Sequence, residues 1–551
     1  MMGERSDGKK KMDLNSLLAE PARRAGLETR ALVALVRAGA IGVDLPHRLV
    51  QVLVALNTYG PFGAAPRIAA IRHGAYPAIA DERGELTYAE FDEAVDRIAN
   101  AFRARLAPGA TVGILCRNHR GPLIVAFAAS RAGVNAVWLN TAFSARQAAE
   151  VANREGVDLL VHDVEFTDLV ADIEARHGTY VTDIDSASDD LDTLAADASP
   201  KAPPAPAKQG RIILLTSGTT GTPKGAPRAE PRSFILPGGL LARLPMRARE
   251  ATIIGPPLFH GTGLLIAIMT IALGSKLVLR RKFEAEQLLA DIERHKATTV
   301  CVVPIMLQRV LGLGDDTVRS YDTTSLRAIF CAGSQLPAAV ATAAQDLLGD
   351  VVYNLYGSTE VALATMATPA DIREAPTSVG KPMLGCRIKI FDDNGREVPS
   401  PGTGRIFVGA ATQFEGYTGG GTKEFIDGLM ASGDVGHFDD KGRLYIDGRD
   451  DDMIVSGGEN VFPVEIEELL VTHPAIVEAS AVGVDDDEFG KRLRAFVVTV
   501  EGTEVSEAEV KQFVKDNLAR YKVPREVVFL DELPRNPTGK VLKRDLAARP
   551  D

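Results

Sequence analysis

Residues 216–225 read TSGTTGTPKG and follow an apolar run, Ile212–Leu215, that is short enough to be a buried strand. Glycine lets backbone N–H groups approach an anion closely, hydroxyl groups donate hydrogen bonds to it, and Lys224 adds a positive charge. A Walker A loop is excluded, because that motif requires Gly-Lys-Ser or Gly-Lys-Thr and Lys224 lies between Pro223 and Gly225. A flexible solvated loop is the alternative, against which the stiff Pro223 argues. The stretch therefore predicts a polyphosphate-binding loop at the end of a strand.

The chain has 551 residues, too many for one hydrophobic core, which predicts two or more domains. Its formal net charge is -11 and its longest basic run is residues 9–11, so a nucleic-acid partner is disfavoured. Four widely spaced cysteines form neither a disulfide framework nor a metal-site spacing, which favours a reducing, cytoplasmic compartment. Charged residues interrupt residues 13–24, and polar residues, a glycine and prolines interrupt the apolar stretch 49–66, so neither a secretory signal nor a membrane span is expected.

The first part of the chain predicts a polar, disordered leader over residues 1–12 and two helices within residues 27–56, separated at Pro46. Two interpretations of these helices stay open. In the first interpretation, the helices pack on the main domain. In the second, they form an amphipathic anchor that attaches weakly to a membrane surface. The basic residues that favour the anchor lie near the apolar positions and are Arg30, Arg37, His47 and Arg48.

From residue 77 onward, short apolar runs alternate with amphipathic segments, which predicts βαβ units and a parallel sheet. A Pro/Ala-rich stretch, residues 199–209, predicts an exposed linker. Residues 380–445 are rich in glycine and in short β-type runs, and they predict a small distorted β-barrel beside the sheets. From about residue 451, a further strand–helix pattern predicts a small domain of about 100 residues.

The predicted architecture is an α/β fold whose large N-terminal domain contains two βαβ-type sheets and the small distorted β-barrel. A small α+β C-terminal domain follows it. The predicted boundaries are 1–75 for the leader and amphipathic helices, 76–450 for the large domain and 451–551 for the small domain.

A second motif, IIGPPLFHGTG, occupies residues 253–263. A strand ends at its two prolines, and His260 then lies in a loop of small residues. A single histidine is more often structural than catalytic. In α/β sheets, however, ligands usually bind beyond the strand ends, which makes His260 a candidate site residue.

A third motif, YGSTE at residues 356–360, ends a predicted strand. Its tyrosine can stack on a base, Thr359 can donate a hydrogen bond to phosphate, and Glu360 can hold Mg²⁺. This pattern is weak when it stands alone.

Three later motifs, SGD at 432–434, GRDDD at 448–452 and the C-terminal PTGK at 537–540, are also weak individually. A carboxylate and a guanidinium in such loops could bind the two ribose hydroxyls, but each is more often part of a surface turn. A lysine in a terminal loop is usually a solvated charge.

Taken in this order, the motifs resemble the signatures of the adenylate-forming superfamily, which includes acyl-CoA synthetases, luciferases and peptide-synthetase adenylation domains. The resemblance covers residues 78–544 and is to the fatty acyl-CoA synthetase (long/medium-chain fatty-acid–CoA ligase) type. It implies a mobile small domain and the ATP-dependent ligation of a fatty acid to coenzyme A through an acyl-adenylate, with release of AMP and pyrophosphate. ATP, Mg²⁺ and coenzyme A are the implied cofactors.

By this resemblance, Lys540 is the adenylation lysine, His260 lies where carboxylate and thiol approach, and Glu360 binds Mg²⁺. The resemblance also implies a hinge at Asp451 and a thin backbone path for the pantetheine chain, formed by the glycines Gly457 and Gly458. The implied ATP-binding residues are Thr216, Ser217, Gly218, Thr219, Thr220, Gly221, Lys224, Gly333, Ser334, Tyr356, Gly357, Thr359, Asp434 and Arg449.

The thiol acceptor stays open at this point. Residues 455–467, VSGGENVFPVEIE, match the version of this signature in fatty acyl-CoA synthetases. Acyl-AMP ligases of the superfamily carry an inserted segment, and none is visible between Tyr417 and Asp451, which favours coenzyme A over a carrier protein or a free acyl-AMP product. A non-catalytic sensor of nucleotides or acyl-adenylates is the hypothesis of another class, and intact Lys540, Glu360 and Lys224 argue against it.

Overall fold

The computed structural model describes a large part of the chain. The described residues are 14–42, 44–182, 190–215, 225–228, 233–358, 361–410, 423–450, 454–456, 459–486, 490–518, 522–536 and 539–549. Within these ranges no helix combines the length and the apolar content that crossing a membrane requires. The predicted disordered leader, residues 1–12, lies outside the described residues.

Two helices, α1 (Leu14–Ala38) and α2 (Pro46–His73), precede the first sheet. Their separation before Pro46 confirms the prediction, although α1 begins earlier than residue 27. Gly60 leaves the helical region at φ 72° and ψ 174°, and with Pro61 behind it divides α2 into two segments. The second segment contributes Phe62 and its neighbours to the core, whereas most of the first segment is exposed.

Residues 77–228 follow the predicted alternation of strands and helices. The strands are β1 (Pro77–Asp81), β2 (Gly84–Thr87), β3 (Thr111–Leu115), β4 (Asn135–Trp138), β5 (Val157–His162), β6 (Thr179–Val181), β7 (Ile212–Leu215) and β8 (Gly225–Arg228). The helices are α3 (Tyr88–Arg105), α4 (Arg120–Ala132), α5 (Ala145–Glu155) and α6 (Asp190–Ala195), with a 3₁₀ turn at Val164–Phe166. The linker 199–209 is mostly exposed as predicted, but Pro203 is buried and its carbonyl accepts a 2.5 Å hydrogen bond from the Tyr59 hydroxyl.

Residues 235–382 continue the same pattern. The strands are β9 (Ala251–Ile254), β10 (Lys276–Leu279), β11 (Thr299–Val302), β12 (Ala328–Cys331), β13 (Val352–Ser358), β14 (Ala362–Ala367) and β15 (Lys381–Pro382). The helices are α7 (Ile235–Leu241), α8 (Gly261–Ala272), α9 (Ala285–His295), α10 (Pro304–Leu311), α11 (Asp315–Arg319), α12 (Ala338–Leu348) and α13 (Pro369–Glu374).

These strands form two mixed sheets. Among the described residues the larger sheet has the order β15-β14-β13-β12-β11-β9-β10-β1-β2, and the smaller one has the order β6-β5-β3-β4-β7-β8. The central strands of both sheets are parallel, as expected for strands that are joined by crossover helices. The antiparallel pairs lie at the edges. The prediction of two βαβ-type sheets is therefore confirmed.

The core of the large domain lies where helices join the two sheets. Its largest buried apolar cluster combines residues of both sheets with residues of α3, α4 and α8. Helix α4 is buried along its whole length, and its Arg131 is paired with Asp92 at 2.6 Å and Asp96 at 2.5 Å on α3. A buried guanidinium is tolerable here because both carboxylates and the Gly63 carbonyl satisfy it.

The region predicted as a small distorted barrel forms a separate antiparallel sheet. Its strands are β16 (Arg387–Phe391), β17 (Gly404–Gly409), β18 (Phe425–Ile426), β19 (Leu429–Phe438) and β20 (Leu444–Arg449). The strand order is β16-β17-β19-β18, with β20 also paired to β19, and pairing among the described residues does not close a ring.

The small C-terminal domain is α+β, as predicted. Its strands are β21 (Ile454–Ser456), β22 (Glu459–Val461), β23 (Ile476–Asp486), β24 (Gly490–Thr499) and β25 (Glu526–Phe529), and its helices are α14 (Pro463–Leu470), α15 (Glu507–Asn517) and α16 (Lys543–Ala547). Strands β23 and β24 are antiparallel, whereas β24 and β25 are parallel and connected through α15. Its own buried apolar cluster gives this domain a separate core.

Candidate active site

Four parallel strands of the larger sheet, β9, β11, β12 and β13, end at the same edge of that sheet. His260 follows the first of them, Val303 the second and Gly333 the third, while Tyr356 lies near the end of the fourth. Ligands of open α/β sheets bind at this carboxyl edge. Motifs that are dispersed along the chain therefore meet at one edge of the fold.

Asn118 connects the two sheets at this edge. It follows β3 of the smaller sheet, and its Nδ2 donates to the Pro256 carbonyl at 2.9 Å while its Oδ1 accepts from the Leu258 backbone N–H at 2.8 Å. Leu214 of β7 packs against Gly261, the first residue of α8. The end of β7 is thereby held beside the start of α8. Sequence reasoning missed Asn118, although its position directly after a strand end was an available signal.

The predicted phosphate loop, residues 216–224, lies outside the described residues, but its two flanking strands are described. Strands β7 and β8 pair antiparallel, with Leu215 opposite Gly225. The predicted binding residues that fall in this loop are Thr216, Ser217, Gly218, Thr219, Thr220, Gly221 and Lys224.

The YGSTE motif is described only in part. Gly357 lies in β13, whereas Thr359 and Glu360 fall outside the described residues. Strands β13 and β14, which flank Thr359 and Glu360 in the sequence, pair antiparallel with Ser358 opposite Ala362.

Tyr356, Asp434 and Arg449, which were predicted from separate motifs, lie together. The Tyr356 hydroxyl donates to Asp434 Oδ2 at 2.5 Å, and Arg449 Nη1 lies 3.3 Å from Asp434 Oδ1. Burial, and secondly the Asp434 charge, raise the pKa of Tyr356 well above its usual value, so the hydroxyl remains a donor. An aromatic ring, a carboxylate and a guanidinium in one cluster are a set of groups that suits a base and a ribose diol.

His260 directly precedes α8, and Gly261 and Gly263 belong to that helix, where a loop was predicted. Its Nε2 is buried and has no hydrogen-bond partner within the described part of the chain, and its ring packs against Phe259 with 4.5 Å between ring centroids. Burial lowers the pKa of His260 to about 4, so the ring is neutral at pH 7. An unpartnered buried nitrogen at the ligand-binding edge is a group that a bound ligand can satisfy.

The buried neutral state of His260 predicts a specific acid sensitivity. With a folded-state pKa of about 4 and an ordinary pKa near 6.5, the unfolded chain takes up a proton that the folded chain excludes as the pH falls from 6.5 to 4. We expect this linkage to cost up to about 3 kcal/mol of stability at pH 4 and nothing at pH 7. The Tm of His260→Gln, measured against pH, should therefore fall less steeply below pH 6.5 than that of the unmodified protein. Parallel Tm–pH curves would contradict this assignment.

Lys540 is exposed in a loop of the small domain. Its backbone N–H donates to Asn536 Oδ1 at 2.9 Å, and its carbonyl accepts from the Asn536 N–H at 2.9 Å. The preceding Gly539 has φ 77° and lies so close to α10 that a Cβ there would be 2.3 Å from Ile305 Cγ2 and 3.7 Å from Val303. The loop that carries Lys540 is thus docked on the carboxyl edge of the larger sheet.

A second contact between the domains lies beside the predicted pair Gly333 and Ser334. Gln335 Nε2 donates to Glu468 Oε1 on α14 at 2.6 Å. Burial raises the pKa of Glu468, and the hydrogen bond from Gln335 opposes that rise. Gly333 has φ 103° and borders Val303, the residue that also borders the Lys540 loop. Sequence reasoning missed the pair Gln335 and Glu468, because residues 133 positions apart leave no local pattern.

The predicted hinge Asp451 and the predicted coenzyme A path, Gly457 and Gly458, lie outside the described residues. Directly before the hinge, the Asp450 backbone N–H donates to the Gly433 carbonyl at 3.0 Å. The two path glycines connect β21 and β22, which are paired strands.

Another polar cluster lies within the smaller sheet. Ligand atoms of Cys116, His119 and Asp163 are within 4.8 Å of one another, and all three residues are buried. His119 Nε2 donates to Asp163 Oδ1 at 2.8 Å, and its Nδ1 accepts from the Gly121 backbone N–H at 3.1 Å. Both ring nitrogens are therefore occupied, and the cluster acts as a structural link between β3, α4 and β5.

The large two-sheet domain followed by a small α+β domain is the architecture of adenylate-forming enzymes. Residues 67–418 match the family of AMP-binding enzymes, and residues 465–540 match the C-terminal domain of AMP-binding enzymes. The chain therefore belongs to the AMP-binding enzyme family and is an AMP-forming acid–thiol ligase.

Named relatives act on different acids and acceptors. The chain is 31% identical over 489 residues to a fatty acid–[acyl-carrier-protein] ligase of Streptomyces coeruleorubidus, covering 86% of this chain and 93% of the relative. It is 31% identical to a feruloyl-CoA synthase of an Amycolatopsis species, covering 88% and 96%. A solved structure of o-succinylbenzoate CoA synthetase from Bacillus subtilis, in complex with its acyl-adenylate intermediate, matches with a TM-score of 0.77 and 28% identity, covering 88% of this chain and 98% of that one.

Proposed function

We propose that this enzyme ligates a fatty, hydrophobic carboxylic acid to coenzyme A through an acyl-adenylate, releasing AMP and pyrophosphate from ATP. The observation that carries the choice of acid is the composition of α8. This helix begins directly after His260 and packs against the core with apolar side chains, and none of its twelve residues is charged. A second carboxylate or another charged group on the acid would find no counter-charge on this helix. The relative that uses fatty acids supports the same choice.

The residues at the carboxyl edge would have distinct roles. Tyr356, Asp434 and Arg449 would bind the adenosine, and the loop 216–224 would bind the β- and γ-phosphates. Lys540 would bring a cation to the α-phosphorus, where negative charge accumulates as the acid attacks. Mg²⁺, which Glu360 would hold, would supply further charge neutralisation at the phosphates.

The named relatives differ in the thiol that accepts the acyl group. Two of the three use coenzyme A and one uses an acyl carrier protein. We propose coenzyme A, because the signature around Gly457 and Gly458 matches that of coenzyme A ligases. A carrier protein is the second candidate, which the fatty acid–[acyl-carrier-protein] ligase favours.

The test is a panel of saturated acids of graded chain length, with hydroxycinnamic and succinylbenzoic acids as aromatic controls. Each acid is incubated with ATP and Mg²⁺, with and without coenzyme A, and pyrophosphate and thioester are measured separately. We expect multiple turnovers to acyl-CoA with a fatty acid. Acyl-AMP that accumulates unchanged by coenzyme A would refute the acceptor, and turnover with the aromatic acids alone would refute the fatty acid.

The proposed hinge gives its own prediction. If the small domain rotates at Asp451 between the half-reactions, Asp451→Pro should keep acyl-adenylate formation and slow thioester formation, because a fixed φ and a missing N–H restrict the rotation. Pyrophosphate release and the conversion of supplied acyl-AMP by coenzyme A are assayed separately. Normal overall turnover in Asp451→Pro would place the hinge elsewhere.

A further inference from the structure

The first two helices expose an unusual number of large aliphatic side chains. Of the sixteen large apolar side chains exposed among the described residues, nine lie between residues 32 and 56, with exposed fractions of 37–60%. We call this set the aliphatic face. Its members are Leu32, Val33, Val36, Leu45, Leu49, Val50, Leu53, Val54 and Leu56. Exposed large apolar side chains concentrated in one segment of the chain are typical of a surface that binds a partner.

The helices do pack on the large domain, but through other residues. Ala31, Ala34, Leu35 and Ala38 of α1 are buried, and Ala31 lies directly against Gly238 of α7. The first segment of α2 buries mainly Val52, Ala55 and Tyr59, and the rest of this segment points outward. Packing among the described residues therefore buries one side of each helix and leaves the aliphatic face exposed.

The charge around the aliphatic face is opposite to that of the whole protein. Residues 23–60 contain five arginines and two carboxylates, a net charge of +3, in a chain whose net charge is -11. All five arginines are exposed, namely Arg23, Arg24, Arg30, Arg37 and Arg48. Both carboxylates are bound within the fold: Glu28 accepts from Ser233 and from the Phe234 N–H, and Asp44 accepts from Arg72. The exposed charge of this segment is thus mainly cationic.

We infer that the aliphatic face and its arginines dock the protein on an anionic lipid surface. Exposed leucine and valine between arginines are the composition of an interfacial helix, which inserts its apolar side among acyl chains and pairs its cations with lipid headgroups. A second copy of this chain fits less well. A two-fold interface would bring the arginines of both copies into one contact region, and the nine residues of the aliphatic face include none of the aromatic side chains that protein interfaces favour.

The two helices that carry the aliphatic face pack on helices of the large domain. Helix α1 packs on α7, and α2 packs on α8, whose first residue follows His260. Docking itself does not depend on the proposed function, because it is measured without substrate.

The test uses the full-length protein and co-sedimentation with vesicles. Vesicles of phosphatidylcholine with phosphatidylglycerol are compared with pure phosphatidylcholine at low and at high salt. We expect binding to the anionic vesicles that salt weakens. Arg30→Gln, Arg37→Gln and Arg48→Gln combined should weaken it about 100-fold, at roughly fivefold for each arginine. Leu49→Gln, Leu53→Gln and Leu56→Gln combined should weaken it at least about tenfold.

The matched control is a triple variant with the same chemistry elsewhere, Val164→Gln, Val500→Gln and Phe529→Gln, which are exposed apolar positions outside both helices. It should bind like the unmodified protein. A thermal melt of each variant verifies that it is folded. Absent vesicle binding, or equal binding by all three variants, would overturn the inference. Sedimentation velocity that shows a dimer lost in the leucine variant, without vesicle binding, would assign the face to a second copy.

Discussion

Lys540→Ala is expected to slow acyl-adenylate formation by about 10²–10³-fold and to leave the conversion of supplied acyl-AMP by coenzyme A almost unchanged. The magnitude is that of removing one fixed group that stabilises charge developing in a transition state. The structure supplies the physical basis, since the loop that carries Lys540 is docked on the carboxyl edge through Gly539 and Ile305. The second half-reaction should not need this cation, because acyl-AMP already carries its leaving group.

The two half-reactions are measured separately, by pyrophosphate release and by thioester formation from synthetic acyl-AMP. Lys515→Ala is the control for removing one positive charge from the small domain, because Lys515 is exposed on α15. It should keep both rates. Equal loss of both half-reactions in Lys540→Ala would refute the division of labour that we propose.

Gly539→Ala should reproduce most of the Lys540→Ala defect although every charge is retained. The added Cβ would lie 2.3 Å from Ile305 Cγ2, a distance at which one of the two groups must move. The backbone at φ 77° also disfavours alanine by about 1 kcal/mol or more. Because the loop must leave α10, we expect acyl-adenylate formation to fall by up to about 100-fold, while thioester formation persists.

Two further variants distinguish the steric clash with Ile305 from the backbone strain at residue 539. Gly502→Ala adds a Cβ at φ 79° in the same domain, where nothing lies within 4 Å, so it should lower stability and keep acyl-adenylate formation. Ile305→Ala combined with Gly539→Ala removes the collision and should recover part of the lost rate. Normal pyrophosphate release in Gly539→Ala would show that this contact does not position Lys540.

Much of the architecture was predictable from local patterns. The hairpin and helix at residues 77–105, the alternation in both sheets and the α15 crossover of the small domain follow from the period of apolar residues and from capping signals such as Thr87 and Glu90. The larger misses have particular causes: α1 extends earlier than its apolar pattern, and Gly60 divides α2 where the pattern alone continues.

The candidate site was predictable as a list of residues but not as an arrangement. Tyr356, Asp434 and Arg449 were each weak patterns, and only the order of the motifs raised them above surface turns. Their contact became visible when β13 and the strands β19 and β20 were placed side by side. The roles of Lys224, Glu360 and Asp451 stay predictions, since these residues lie outside the described ranges.

Local patterns were sufficient to predict the class of fold and the amphipathic nature of the first helices, because periodicity acts over a few residues, while the polyphosphate-type loop at 216–224 stays a prediction. Three features depended on the folded chain: Asn118 holding the loop after β9, Gly539 against Ile305, and the aliphatic face left open after α1 and α2 had packed. Each depends on which surfaces meet when distant segments come together. Whether a side chain is buried depends on these long-range contacts, and no local sequence pattern specifies which residue a side chain will contact.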